Sequence, residues 1–451
     1  MEVEGTQIMA SDDTSGSPGG FDFEEIRKLL EQMGLGTGDM DFNQLLEQVT
    51  KMQESGSPGF AMTNADKDPD AAWRTTITAA QQLTQGKGPD PHLEASERAL
   101  LVDSERLAQS WLSSHTTFPE TGIAAAGIRR EEWLQRTSKG WRTLVEPIID
   151  GLADALQRGA SAESVPELGA LSAMLGPMMR SSASLIYRDR LKKVFAEVAG
   201  SALTGTEVGI NLMEGTPVLI LTSNVAAFTE DLELPDSDVL LYLLVREAAR
   251  QRLFHSVGWL SPQLNALLAH FAREISIDFE AISASFDPSQ MEQFSLEDMV
   301  EVGEKVRGSF FKPASTPTQV EILGRLELLL ALIEGWVDHV TARATGQWMN
   351  NASQLSEVVR RRRASGGPSQ EVFNQLLGLD LRPRLVRDAE NLWASIEHQR
   401  GDQRDAVWQH PDLLPTAADL KDPLAFGNRD ADSSGHDDLD AELRKILGDG
   451  N

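Results

Sequence analysis

Residues 240–254 read LLYLLVREAARQRLF, a mostly apolar run that is interrupted by Arg246, Glu247 and Arg250. At 3.6 residues per turn, the two arginines share one stripe of a helix with apolar residues, and the glutamate lies on the adjacent stripe. A helix that is apolar on most sides is normally buried, and a buried charge is costly unless it is paired. The run therefore predicts a buried helix whose charged side chains meet partners from another segment.

Residues 315–346 form the best-defined helix of the sequence. Thr316 and Gln319 have the spacing of a capping box, Pro317 occupies the first helical position, and Gly346 suits the far end. The residues between these ends are apolar nearly all round, which indicates a central, buried helix.

Acidic residues interrupt this second helix. Glu334 and Asp338 lie one turn apart, beside Trp336. One buried helix thus carries excess cations and the other carries excess anions. The interpretation we favour is that the two arginines of the first helix form ion pairs with these carboxylates, since buried cations are usually paired. The alternative for the same two arginines is a repurposed anion-binding site.

Helical patterns dominate the rest of the chain. Residues 71–200 have helix-spaced apolar residues with an interruption at Pro147, and residues 261–282 predict another helix. The clearest strand candidate is TPVLILTSNVAAF, residues 216–228, which is short, partly β-branched and bounded by turn residues. We therefore expect a mainly α fold with a small β-sheet.

The amino-acid composition indicates the cellular compartment of the protein and the class of its binding partners. The chain has 451 residues, a net charge of −28 and no cysteine. The acidic balance argues against nucleic acid or an anionic membrane as a partner, because phosphate binding relies on cations. The lack of cysteine excludes thiolate metal sites and favours a reducing compartment. No apolar run reaches the ~18 residues of a membrane helix, and the N-terminus does not read as a secretory signal. We expect a cytoplasmic protein without membrane insertion, whose partner is an unidentified protein or peptide.

The same composition divides the chain into three parts. Residues 1–70 are predicted to be a mostly disordered acidic region with short amphipathic helices, and residues 429–451 to be a disordered acidic tail. Residues 71–428 are predicted to fold as one domain. Within it, residues 71–200 form an N-terminal helical part, and residues 201–428 carry the two charged helices.

The run REAAR at 246–250 has the layout of the zinc-protease motif H-E-x-x-H. Residues 90–427 resemble a zincin-like family of actinobacterial hydrolases, labelled zinc-dependent metalloproteases and sometimes associated with deazaflavin-cofactor biosynthesis. The stretches that carry the resemblance are SNVAAF (223–228), RLFHSVGWL (252–260), LLALIEGWVDHV (329–340), RRRRASGGPSQEVFNQLLGLDLRPR (360–384) and DAVWQHPDLLPT (405–416). The resemblance implies a zincin-like helical domain.

The motif of this chain is degenerate. The resemblance implies that Arg246 and Arg250 occupy the positions of zinc-binding histidines and that Glu247 occupies that of the general base. It also implies that Glu334 stands at the third-ligand position and Asp338 at that of a carboxylate that orients a ligand histidine. Guanidinium stays charged near neutrality and has no lone pair for a metal. We therefore expect that zinc, the cofactor of the family, is lost here, so that no cofactor remains.

Two functions follow as alternatives. The favoured one is an inactive pseudo-hydrolase with a binding or scaffolding role, in which Glu247 is only a remnant of the general base. The other is a hydrolase that retains activity through another site or mechanism. His255, His270 and His339 are interpreted as structural rather than as a re-formed metal site. The basic run at residues 360–363 is interpreted as cations at a helix C-terminus rather than as a phosphate site.

Overall fold

The structure, a computed structural model, describes residues 68–162, 168–230, 232–276, 316–377 and 383–426. All of them belong to one compact unit. The predicted acidic tail lies outside the described residues, and so does the predicted N-terminal region up to residue 67, which includes its short amphipathic segments.

The fold is mainly α, as the sequence predicts. Eleven α-helices occur in the described ranges. Their bounds are α1 Pro69–Thr84, α2 Ala95–Leu112, α3 Arg130–Ala162, α4 Leu168–Ser201, α5 Thr222–Thr229, α6 Asp236–Ser256, α7 Leu260–Arg273, α8 Pro317–Thr345, α9 Ala352–Ala364, α10 Pro368–Leu377 and α11 Pro383–Arg400. Short 3-10 helices follow α1 at Gln85–Lys87 and α11 at Gly401–Gln409 and Pro411–Leu413. None of the helices in these ranges is long and apolar enough to cross a membrane.

The predicted small sheet is also present. Strands β1 (Ala126–Ile128) and β2 (Leu219–Leu221) pair in parallel, with Gly127 opposite Ile220. The strand predicted over residues 216–228 is too long, because its second half forms α5.

Tertiary contacts explain the helical conformation of that second half. The Asn224 amide donates to the carbonyl oxygens of Ala199 and Ala202, at 2.9 and 2.6 Å. Its carbonyl oxygen accepts from Arg130 Nε at 2.6 Å. These bonds fix one turn of α5 in place, and a sequence window does not contain the residues that make them.

Helix α3 runs through Pro147, so the predicted interruption there is wrong. A proline inside a helix removes one hydrogen bond and costs about 3 kcal/mol. Val145, Ile148 and Ile149 are nevertheless buried, and α3 packs on α4 and α7. This packing keeps the helix intact across the proline. Helix α7 ends at Arg273, earlier than the predicted helix over residues 261–282.

Helix α8 is central, as its apolar pattern predicts. It begins with the capping box of Thr316 and Gln319, and it packs against α2, α6, α7, α9 and α11. Gly335 permits the close approach of α11, because a Cβ at that position would lie 2.6 Å from the Cβ of Ala389. The contact between α6 and α8 places the charged residues of the two helices opposite one another.

Candidate functional site

Arg246 and Arg250 of α6 share one carboxylate of α8. Arg250 donates from Nε and Nη2 to Glu334 Oε1, at 3.1 and 2.8 Å. Arg246 donates from Nη2 to Glu334 Oε2 at 3.2 Å. The side chains of Arg250 and Arg246 are only 3% and 6% exposed, and that of Glu334 is 11% exposed. Both oxygens of Glu334 are therefore bound by guanidinium groups in a nearly dry environment.

Asp338, one turn further along α8, is bound by two arginines. Arg246 Nη1 donates to Asp338 Oδ1. Arg363 of α9 donates to both oxygens, from Nη1 to Oδ2 at 3.1 Å and from Nη2 to Oδ1 at 3.0 Å. Arg363 Nη2 also lies 3.7 Å from Glu334 Oε2. The sequence analysis missed Arg363, because its run was interpreted as a set of helix-terminal cations.

Glu247 is fully buried and accepts four hydrogen bonds. Its Oε1 accepts from Thr206 N at 3.1 Å and from Gln251 Nε2 at 3.0 Å. Its Oε2 accepts from Thr206 Oγ1 at 2.8 Å and from Arg250 Nη1 at 3.2 Å. Thr206 lies in the loop between α4 and β2, where no motif marks it in the sequence. This network holds the carboxylate in place and satisfies both of its oxygens.

We call these six side chains the ion cluster: Arg246, Glu247, Arg250, Glu334, Asp338 and Arg363. Its three cations balance its three carboxylates. Burial alone would raise the pKa of the Asp338 carboxyl, but Arg363 and Arg246 outweigh burial and hold that pKa well below its usual range. The pKa of Glu334 is lowered in the same way, since Arg250, Arg363 and Arg246 outweigh burial. Burial raises the pKa of Glu247 despite its donors.

The other arginines of the basic run have separate partners. Arg360 pairs with Glu390 at 2.5 Å, and Arg361 pairs with Glu357 of its own helix at 2.8 Å. Arg362 Nε donates to Glu207 Oε1 at 3.1 Å, and its Nη2 donates to Ser201 O at 2.5 Å. The four arginines therefore point to different partners and do not form one phosphate-binding row.

The three candidate histidines lie outside the ion cluster. His339 Nε2 contacts Glu397 Oε2, and His255 Nδ1 lies 3.2 Å from Thr216 Oγ1. His270 is exposed on α7. Among the described residues, no three histidine, aspartate or glutamate side chains are arranged to hold one metal ion.

The donor set at the α6–α8 contact does not fit zinc. Arg246 and Arg250 bring fixed positive charges and no lone pairs to the positions where the resemblance implies metal ligands. Glu334 and Asp338 keep carboxylate oxygens, but guanidinium groups occupy these oxygens. A metal ion would have to displace three arginines from their partners.

A cavity opens beside the ion cluster. It is open to solvent, and Arg246, Arg250, Glu334 and Arg363 line it. The loop before β2 and the start of α10 complete its walls. This cleft brings solvent next to the arginines of the ion cluster.

Three comparisons with known proteins concern the family and the fold of this chain. A sequence model described as "zincin-like metallopeptidase" matches residues 72–426. The structure is similar to that of a protein from Chloroflexus aurantiacus described as a "putative hydrolase with a novel fold". That similarity has a TM-score of 0.55 at 18% sequence identity, and it covers 79% of this chain and 97% of the other. It concerns the fold alone. No curated protein matches the chain.

Proposed function

The chain belongs to the zincin-like metallopeptidase family, and from this premise we propose that it is a non-catalytic member whose metal site has become the ion cluster. Its role is to bind a protein or peptide in the cleft that an active relative would use for substrate. The observation that carries the proposal is the double contact of Glu334, which accepts from both Arg246 and Arg250.

The chemistry of hydrolysis supports this proposal. A zinc peptidase needs a metal-bound water and a general base that accepts its proton. At Glu247 the four hydrogen-bond donors and the lack of exposed surface leave no room for such a water. Arg250 Nη1 donates to Glu247 Oε2 at 3.2 Å, so a fixed cation contacts this carboxylate. The residue in the position of the base therefore acts as an anchor for Arg250 and for the loop at Thr206.

A binding role requires only the cleft and no catalytic group. The cleft persists beside the ion cluster, and its cations and apolar residues can contact a ligand without any reaction. The ion cluster itself connects α6, α8 and α9, which form the walls of that cleft. We propose that these buried charges fix the geometry of the cleft, because loss of one partner would leave another charge buried and unpaired.

The test is an assay of peptide hydrolysis by the full-length protein, with zinc added, over a broad panel of peptides. We expect no turnover above that of a Glu247→Gln variant, because neither protein can activate water at this site. Turnover that the chelation of zinc abolishes and that Glu247→Gln also abolishes would contradict the proposal. Turnover that survives both changes would indicate a hydrolase with another site or mechanism.

A further inference from the structure

The wall of the cavity beside the ion cluster is more positive than the cluster itself. Its charged lining consists of Arg246, Arg250, Arg362, Arg363, Glu207 and Glu334. Four arginines thus face two glutamates, because Glu247 and Asp338 lie behind the arginines and do not reach the cavity. A ligand that enters meets an excess of guanidinium groups.

The arginines on the α9 side are the more accessible ones. The side chains of Arg362 and Arg363 are 22% and 20% exposed, whereas those of Arg246 and Arg250 are 6% and 3% exposed. Among the described residues, none accepts a hydrogen bond from Arg362 Nη1, which leaves this donor for a ligand. A hydrogen bond from this guanidinium nitrogen to a carboxylate is charge-assisted and stronger than a bond between neutral groups.

Two further features indicate the shape of the ligand. Gly367, Pro368 and Ser369 line the same cavity, so the N-terminus of α10 adds the favourable dipole that anions find at helix starts. A second cavity, also open to solvent, adjoins the first and shares Glu334, Arg363 and Ser369 with it. Its apolar lining comprises Val208, Leu330, Ala331, Phe373 and Val386. An anionic group and an apolar group can therefore be held side by side.

We propose that the cleft binds a carboxylate attached to an apolar group, as found at the C-terminal residue of a peptide or in a small carboxylic acid. The carboxylate accepts a hydrogen bond from Arg362 Nη1 near the partly exposed Arg363, and the apolar group enters the adjoining cavity. The proposal rests on the non-catalytic role proposed above, since it requires the arginines rather than a metal ion at the base of the cleft.

Calorimetric titration of the full-length protein with N-acetyl-leucine tests the ligand class, and N-acetyl-leucinamide provides the uncharged control. We expect the acid to bind at millimolar concentrations and the amide not to bind. A peptide that ends in leucine supplies a second arm. If the peptide binds more tightly than N-acetyl-leucine, the natural ligand is the C-terminus of a peptide. If the two bind with equal affinity, the natural ligand is a small carboxylic acid.

Two variants on one helix test the location. Arg362→Gln removes a cation from the cavity wall and should weaken binding of the acid about tenfold, the usual effect of losing one hydrogen bond to a charged group. Arg361→Gln is the matched control, because Arg361 points away from the cavity with a side chain that is 79% exposed. The Arg361→Gln variant should bind the acid with the same affinity as the unmodified protein.

Several outcomes would overturn the inference. These are the absence of acid binding, equal binding of acid and amide, equal effects of the two variants, and binding of inorganic phosphate in place of the acid. Each of them leaves the non-catalytic role intact if the protein shows no zinc-dependent hydrolysis. Hydrolysis of the peptide arm would instead contradict the proposed function itself.

Discussion

Arg250 and Glu334 are joined by two hydrogen bonds, from Nε and Nη2 to one carboxylate oxygen, at 3.1 and 2.8 Å. In a zincin-like site, the resemblance implies a metal ion between a ligand at position 250 and a ligand at position 334. Here a direct ion pair connects the same two positions. The helices that would be held together by zinc are held together by guanidinium–carboxylate contacts.

Removal of one carboxylate from the ion cluster should be strongly destabilising. Glu334→Gln keeps the shape of the side chain but leaves Arg246 and Arg250 buried without their shared anion. We expect the free energy of unfolding to fall by about 3 to 5 kcal/mol, as is typical when one partner of a buried ion pair is lost. Urea denaturation at neutral pH measures the change.

Glu357→Gln is the control for that experiment, because Glu357 pairs with Arg361 on the surface and is 51% exposed. Its loss should change the free energy of unfolding by no more than about 0.5 kcal/mol. A similarly small effect of Glu334→Gln would show that the ion cluster contributes nothing that distinguishes it from a surface pair.

Glu397 should make stability depend on pH in the acid range. The hydrogen bond with His339, together with Arg404 and Arg343, lowers the pKa of Glu397 to about 2 from 4.5 in spite of burial. A carboxyl whose pKa is lowered in the folded state stabilises the protein above its unfolded pKa, and this contribution is lost as the pH falls towards the folded pKa. The stability difference between the unmodified protein and Glu397→Gln should therefore be fully present at about pH 5 and shrink from pH 4.5 to 2.

Urea denaturation at a series of pH values measures this difference. Glu321→Gln provides the comparison, since the pair of Glu321 with Arg325 is exposed and should affect stability little at every pH. A difference between the unmodified protein and Glu397→Gln that grows as the pH falls would have the wrong sign and would refute the assignment.

The metal site should be recoverable by two substitutions. Arg246→His combined with Arg250→His introduces two imidazoles one turn apart, and the resemblance implies Glu334 as a third ligand for tetrahedral zinc. We expect the double variant to bind zinc in calorimetric titration. Either single variant should not bind, because the remaining guanidinium keeps a positive charge where the metal would be.

Arg363 adds a refinement to the experiment that the sequence did not suggest. It lies 3.7 Å from Glu334 and binds Asp338 through both Nη atoms. Adding Arg363→Gln to the double variant should therefore tighten zinc binding, because it frees both carboxylates. A folded double variant and a folded triple variant that both fail to bind zinc would mean that Glu334 does not stand in a ligand position.

Local sequence patterns determine much of this fold. The capping box and the apolar residues between its ends predict α8, and the apolar run around REAAR predicts α6. The excess cations of one helix and excess anions of the other indicate that the two helices meet. The structure brings Arg246, Arg250, Glu334 and Asp338 together at that contact.

The sequence predictions fail where contacts with residues far away in the chain determine the local structure. Pro147 stays inside α3 because this helix packs against other helices. Asn224 is held in α5 by the carbonyl oxygen of Ala199 in the last turn of α4 and by that of Ala202 just after it. Arg363 cannot be told from its three neighbours by sequence, since all four arginines suit a helix C-terminus. Thr206 lies in a loop without periodicity, so nothing in the pattern connects it to Glu247.

The central claim is that guanidinium groups have replaced the metal, and metal content tests it most directly. The measurement is elemental analysis of the purified full-length protein after incubation with zinc and removal of unbound ions, with the Arg246→His, Arg250→His double variant treated in parallel. We predict far less than one zinc ion per chain for the unmodified protein and about one for the variant, given its single three-ligand site. One tightly bound zinc ion per unmodified chain, lost on substitution of Glu334, would contradict the account.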